Sequence, residues 1–365
     1  MINVGLTEMH GIAQEYSQFP PDGVRYSSVT GNERYTKRIF KSHAKGVYTY
    51  IHSREHDIIE APLFPVLTQQ PWIYTPARFS SAGTFDFLGL PTPRKIKMLF
   101  VEQLLARPNF KKLLFKSEHG RASLQEYGGI TRRDIVAKTD VVYPIVRRVD
   151  DNLIEYRNDR LNLLFVGEFL RKGGANVVDA FIRIAEKYSH LTLTICASDQ
   201  FQTANADLKN EYLKKIAEHP AITMAFVNRE ELMTKILPAC DIYLCPTYQE
   251  AWGFSIQEAM AFGRPIIATN ISAIPEMLEH NKSGILLDIK DQPYIKHSKG
   301  YVINQIDPDF MAYVTDAIYK QLDQLIPDVA RRTALGQAAL EVARTKFSAD
   351  TRNQKMKAIY EAALS

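Results

Sequence analysis

The chain has 365 residues, of which 45% are hydrophobic and 24% charged, and its formal net charge is +4. That length predicts two domains of ordinary size, and that composition excludes a disordered chain. No apolar run reaches the roughly 18 residues of a spanning helix, and the opening MINVGLTEMHG lacks the basic flank and long apolar core of a signal peptide.

The charge is unevenly spread. Residues 1–150 hold 21 Lys and Arg against 14 Asp and Glu, and residues 151–365 hold 24 against 27. Such asymmetry points to an anionic partner for the basic half, with a solvated basic surface as the plain alternative. Cys196, Cys240 and Cys245 sit in or beside apolar strand patterns (LTICAS, ACDIYLCP). An odd number without metal-ligand spacing predicts buried, reduced thiols and a cytoplasmic location.

In chain order, Met1–Thr7 reads as an opening strand. Gly5, Gly11 and Gly23 do not compose a G-x-G-x-x-G loop, so no dinucleotide fingerprint is present. Tyr48–His52, Asp57–Ile59 and Pro71–Thr75 read as strand material, with His52 at the end of one strand and Arg78 in the loop after another. Residues 91–121 carry eight basic residues against Glu102 and Glu118. Within them Ile96, Leu99, Phe100 and Leu104 fall at helical spacing, and Pro108 ends the helix. KKLLF follows as a strand, and Ser117 caps the next helix. This segment reads either as a core-facing helix with a solvated basic face or as a surface that docks on anionic membrane. It lacks the interleaved aromatic platform of a nucleic-acid binder. Asp140–Pro144 is the last strand of this half, and the polar stretch Val149–Arg160 is the expected linker.

Strands and helices then alternate, predicting a parallel α/β domain with right-handed crossovers. The expected strands are Leu161–Val166, Leu191–Ala197, Ile222–Val227, Ile242–Cys245 and Ile285–Leu287. The expected helices are ANVVDAFIRIAEKY, Asp207–Glu218 and Glu230–Leu237. Between the first strand and its helix lies Gly167-Glu-Phe-Leu-Arg-Lys-Gly-Gly174. A basic loop bounded by glycines before a helix N-terminus suits a diphosphate, with Arg171 and Lys172 as point charges. An ordinary βα turn with solvated basic residues is the plain alternative. Helices close the chain at Asp307–Leu325, Ala330–Lys346 and Asp350–Ala363.

The most informative stretch is Pro246–Glu276, PTYQEAWGFSIQEAMAFGRPIIATNISAIPE. Glu250 lies on the loop after a strand, and Glu258 is read as opening a short helix that Gly263 ends; the strand PIIAT follows. Open α/β sheets bind ligands at such junctions, Gly253 allows close backbone approach, and a carboxylate accepts bonds from vicinal hydroxyls. Taken singly, each glutamate reads as a surface or helix-capping residue. Trp252, beside Gly253, fits a ligand-lining role and a buried packing role equally.

Glu250…Glu258-Ala-Met-Ala-x-Gly-x-Pro resembles the E-x7-E signature of family-4 retaining glycosyltransferases, the group 1 glycosyl transferases. The likeness continues through Ser272-Ala-Ile-Pro-Glu276 and Ser283-Gly-Ile-Leu-Leu-Asp288. The chain departs from the family in lacking a Gly-Gly pair after the first strand and a histidine in the TPARFSS loop, and in having Glu168 where arginine is common.

The resemblance implies a GT-B fold: two Rossmann-like α/β domains facing a central cleft, and a C-terminal helix crossing back to the N-terminal domain. The expected boundaries are 1–150 for an acceptor-side domain, 151–345 for a nucleotide-sugar-binding domain and 346–365 for the returning helix. It implies metal-independent sugar transfer from a UDP- or GDP-linked donor, rather than an ADP-linked one, to a saccharide or lipid-linked acceptor. No further cofactor is implied. Glu258 would hold ribose hydroxyls, Glu250 the donor sugar, and Lys172 with Arg171 the diphosphate. Gly253 and Phe254 would offer backbone N–H groups, with Gly167 and Ser255 beside the donor. Base contacts would come from backbone near Phe226-Val227, and domain closure would exclude water. The competing reading is a catalytically inactive nucleotide-sugar-binding GT-B subunit.

Overall fold

The structure is a computed structural model that describes all residues except 10–11, 43–47, 158–159, 202, 204, 290–294 and 300–301; the side chains of 12, 14–15, 42, 295–299 and 302–305 are also left aside. Gly11 and the 158–159 part of the expected linker therefore lie outside the described residues. The chain divides into two compact units, one of Met1–Arg147 with Lys346–Ser365 and one of Arg148–Thr345.

The first unit is built on six parallel strands: β1 (Ile2–Leu6), β2 (Val24–Ser28), β3 (Ile58–Ala61), β4 (Trp72–Tyr74), β5 (Phe110–Phe115) and β6 (Thr139–Val141). Their spatial order is β6-β5-β4-β3-β1-β2, so the direction of winding reverses between β1 and β3. Both faces of the sheet are covered, as short apolar strands of a parallel sheet require. Side chains alternate across β3. Ile59 and Ala61 join a core with Trp72, Tyr74, Phe110 and Phe115. Ile58 joins the opposite core with Val4, Leu6, Ile73 and Leu114. The last helix, Ala349–Leu364, covers that second face with Met356, Ile359, Tyr360 and Ala363. Ser348 caps the helix by accepting from Thr351 N–H at 3.1 Å.

The helix of the basic segment spans Arg94–Leu105 and stops before Pro108. Its buried stripe is Met98, Val101, Leu104 and Leu105, with Phe100 packed against the same core, so of the expected apolar residues Leu104 and Phe100 face inward and Ile96 and Leu99 do not. Ile96 and Leu99 are 52% and 58% exposed. Ser117 does cap the next helix, Glu118–Glu126, accepting from Gly120 N–H at 2.8 Å. The short pair Phe40–Ser42 with Phe85–Phe87, and the parallel pair Tyr50–Ile51 with Leu67–Thr68, are the further strands among this unit's described residues. His52 follows the latter pair and is exposed.

The second unit carries β7 (Leu161–Val166), β8 (Leu191–Cys196), β9 (Ile222–Ala225), β10 (Ile242–Cys245), β11 (Ile266–Thr269) and β12 (Ile285–Leu287). All are parallel, in the order β9-β8-β7-β10-β11-β12. Here winding reverses between β7 and β10. The segment expected as the helix Glu230–Leu237 is one turn, Arg229–Glu231, running into a π-helical turn, Leu232–Ile236. Arg264, 1% exposed, donates from Nη1 to Glu155 O at 2.6 Å and from Nη2 to Leu153 O at 3.2 Å and Pro238 O at 3.3 Å. It ties the entry segment to this unit. The three cysteines are free and buried. Among the described residues no helix is long and apolar enough to cross a membrane.

Candidate functional site

In an open parallel sheet the loops leaving two adjacent strands diverge where the winding reverses, and they leave a crevice at the strands' carboxyl ends. In the second unit those loops follow β7 and β10. The first runs from Gly167 to Gly173, whose φ values are +136° and +79°. Only glycine adopts these angles without strain. A Cβ on Gly173 would also stand 2.3 Å from Pro246 O, so the two loops pack backbone to backbone. Tyr248 N–H donates to Arg171 O at 2.9 Å, and Thr269 Oγ1 fixes the second loop by donating to Thr247 O at 2.7 Å.

This close packing brings Lys172 and Glu250 together. The Lys172 Nζ donates to Glu250 Oε2 in an ion pair in which both side chains are only about a tenth exposed. The other carboxylate oxygen, Oε1, accepts from Ala251 N–H at 2.9 Å. Arg171 faces Glu168: its backbone N–H bonds Glu168 Oε2 at 2.7 Å, and its Nε lies 3.9 Å from the same oxygen. Glu168 thus holds the loop's turn and shares the charge of Arg171.

Gly253, at φ +107°, is the N-cap of the helix Phe254–Ala261. Glu258 therefore lies in the second turn of that helix, not at its start, four residues beyond the observed first residue. Its side chain pairs with Arg229 across 2.9 Å. Arg229 opens the turn after β9, capped by Asn228 accepting from Glu231 N–H at 2.9 Å. Phe254 is exposed at the helix start and Ser255 half-buried. Burial raises the Cys245 thiol to about 12 against the nearby Lys172 charge, so this cysteine stays a neutral thiol.

Residues 160–296 match the family described as glycosyl transferases group 1. This stretch is similar to the group 1 glycosyl transferases. Two curated relatives are similar to parts of the chain. One is the N-acetyl-alpha-D-glucosaminyl L-malate synthase of Bacillus anthracis, 24% identical over 200 residues that cover 54% of this chain and 44% of that one. The other is the alpha-maltose-1-phosphate synthase of Mycolicibacterium smegmatis, 29% identical over 183 residues that cover 47% and 46%. The chain thus spans less than half the length of these relatives. Among solved structures it is similar to Anabaena HepE in complex with UDP and glucose, with a TM-score of 0.62, 15% identity and 99% of both chains covered. That likeness over the full length shows the fold, which is GT-B.

Within the matched stretch the sequence-predicted residues fall on three adjoining elements. Gly167, Arg171 and Lys172 lie on the loop after β7, Glu250 on the loop after β10, and Gly253, Phe254, Ser255 and Glu258 on the following helix and its cap. Trp252 is 1% exposed and donates from Nε1 to Gln257 at 3.1 Å, which makes it a packing residue. Arg229 is the residue that sequence reading missed. A basic residue behind an Asn cap is common at any helix start, so only its contact with Glu258 distinguishes it. Arg78 and His52 belong to the first unit, where both are exposed.

Proposed function

We propose that this protein is a retaining glycosyltransferase whose second unit binds a nucleotide sugar. The observation that carries the reading is the meeting of Lys172 and Glu250 where β7 and β10 diverge, on loops that pack backbone to backbone at Gly173. The names of the relatives and the complex of HepE with UDP and glucose support the donor class. Lys172 and Arg171 stabilise the charge that develops on the diphosphate as the glycosidic bond breaks. Each is held by a carboxylate, so donor binding exchanges Glu250 and Glu168 for phosphate oxygens. Glu250 then turns to the sugar hydroxyls and Glu258 to the ribose. Gly253, Phe254, Gly167 and Ser255 line the donor. The base is that of UDP or GDP, and transfer proceeds without a metal ion. The first unit binds a saccharide or lipid-linked acceptor.

The test is calorimetric titration with UDP, GDP and ADP of the wild type, Glu258→Ala and Lys172→Ala. One nucleotide binds, and both substitutions weaken it at least tenfold. Failure of all three to bind at millimolar concentration overturns the reading. Release of nucleotide from the matching sugar donor without acceptor separates an enzyme from an inactive binding subunit, which binds but releases nothing. Added chelator leaves the rate unchanged.

A specific surface favours a membrane-facing acceptor. Leu88 and Leu90 are 67% and 68% exposed, on a turn that leads directly into the helix exposing Ile96 and Leu99. Arg94 and Lys95 are exposed beside them. Apolar side chains flanked by cations suit the interface of an anionic bilayer at the inner face of the membrane. Wild-type protein sediments with vesicles containing phosphatidylserine, and the variant carrying Ser at all four apolar positions does not. Equal sedimentation of both would remove the membrane from the proposal.

A further inference from the structure

We propose that Asn176 and Tyr248 are positioning residues of the donor site, which fix where Glu250 stands relative to Lys172. The inference rests on the glycosyl-transfer reading only for the role given to that ion pair.

Asn176 lies in the first turn of the helix Gly174–Ala185, just after the loop that carries Lys172, and it is fully buried. A buried amide costs stability unless its polar groups are bonded, and here they are. Nδ2 donates to Met311 O at 2.8 Å and to Thr315 Oγ1 at 3.0 Å, both on the helix Pro308–Leu325. A carbonyl only accepts, so Nδ2 is the atom that faces Met311, and a flipped amide would set two acceptors against each other. Oδ1 is thereby turned to the opposite side, where the Tyr248 hydroxyl donates to it.

Tyr248 is buried two residues before Glu250 and is anchored at both ends. Its backbone N–H donates to Arg171 O at 2.9 Å, its hydroxyl to Asn176, and its ring packs on Phe310 with centroids 5.5 Å apart. One bond leaves a loop free to pivot about it; a second, at the far end of the ring, removes the pivot. Arg171 and Asn176 stand on either side of Lys172 in the chain, so they set the course of residues 248–250 from the lysine's own segment and deliver Glu250 to its Nζ. An apolar pair would fill the same space without direction, whereas a satisfied buried network specifies one arrangement.

Two variants test this. Tyr248→Phe removes the hydroxyl alone. Asn176→Leu combined with Tyr248→Phe replaces both partners by apolar groups, which recovers part of the stability that the single change loses. In the full chain without donor, an amine-acylating reagent reads the placement of Lys172, whose side chain is only about a tenth exposed in the ion pair; modified lysines are mapped by mass spectrometry. Lys172 is acylated at least fivefold faster in both variants, the recovered stability notwithstanding, while the buried Cys196, Cys240 and Cys245 stay closed to a thiol reagent and so report an intact core. Wild-type acylation of Lys172 in both variants, or thiols that open in step with it, overturns the inference. UDP and UDP-glucose probe the donor site. The variants bind UDP within twofold of the wild type, and their kcat for hydrolysis of UDP-glucose falls at least tenfold with KM little changed, because Glu250 is displaced and the nucleotide contacts are not. A loss of UDP affinity as large as the loss of kcat overturns the inference as well. If the wild type binds no UDP, the donor reading loses that nucleotide and acylation alone decides the placement.

Discussion

Lys172 and Glu250 stand 78 residues apart in the chain and form one ion pair, joining the loop after β7 to the loop after β10. With both partners nearly covered, removing either one leaves a charge with poor access to water. The two single substitutions to Met therefore cost more together than the double substitution. The expected coupling is about 1–3 kcal/mol, read from denaturant midpoints of the four proteins. Additive losses would show that the pair is merely adjacent.

Gly173→Ala places a methyl where Pro246 O already stands, at a backbone angle that L side chains avoid. The expected cost is roughly 1–3 kcal/mol, and the loops must part. Melting temperature and nucleotide affinity fall together. A loss of stability with unchanged affinity would separate loop packing from the donor site.

Arg264→Ala leaves the carbonyls of Leu153, Glu155 and Pro238 without their donor. These bonds are part-buried, so each lost donor costs about 1 kcal/mol. The entry segment 151–157 becomes open to protease, and cleavage there, mapped by mass spectrometry, precedes loss of the rest of the second unit. Arg264→Lys restores part of the protection, because its ammonium reaches fewer of the three carbonyls than the guanidinium fork.

Stability depends on pH through Lys116 in a direction opposite to the thiols. Burial lowers the folded-state pKa of Lys116 to about 8, so the unfolded chain binds the extra proton between there and the ordinary lysine range. Stability relative to Lys116→Met consequently rises as pH increases through that window and is lowest below it, with a maximum slope of about 1.4 kcal/mol per pH unit. Burial raises Cys196 to about 11 and Cys245 to about 12, so their contributions fall over the same alkaline range. The difference between wild type and Lys116→Met cancels them. For the same reason all three thiols resist a thiol-specific reagent in the native protein near pH 8 and react only on unfolding.

Much of this architecture was legible because parallel strands buried on both faces read as apolar runs. LNLLFV and IYLC are examples, and their strands fall at Leu161–Val166 and Ile242–Cys245. The start of the helix carrying Glu258 was not legible, because its cap is Gly253. A glycine N-cap contributes backbone conformation and no capping side chain, so nothing marks Phe254 as the first helical residue. The helix Arg94–Leu105 failed differently. It carries two apolar stripes, and periodicity does not decide which one meets the sheet; Met98 and Val101 are inside while Ile96 and Leu99 are out. Glu60 was hidden within IIEA, since a buried carboxylate declares itself only when Tyr16, Thr75 and Tyr360 are seen to converge on it. The meeting of Lys172 with Glu250, and of Arg229 with Glu258, depends on strand order, which no local pattern encodes.

The last helix gives the two units different fates during synthesis. The second unit is one uninterrupted stretch, Arg148–Thr345, whereas the first is finished by Lys346–Ser365. On a ribosome, the face formed by Val4, Leu6, Ile58, Ile73 and Leu114 waits uncovered while the whole second unit is made, until Met356, Ile359 and Tyr360 emerge. The half that is translated first is therefore the half that matures last, and a nascent chain carries that apolar face as a target for chaperones until the residues of this helix have emerged.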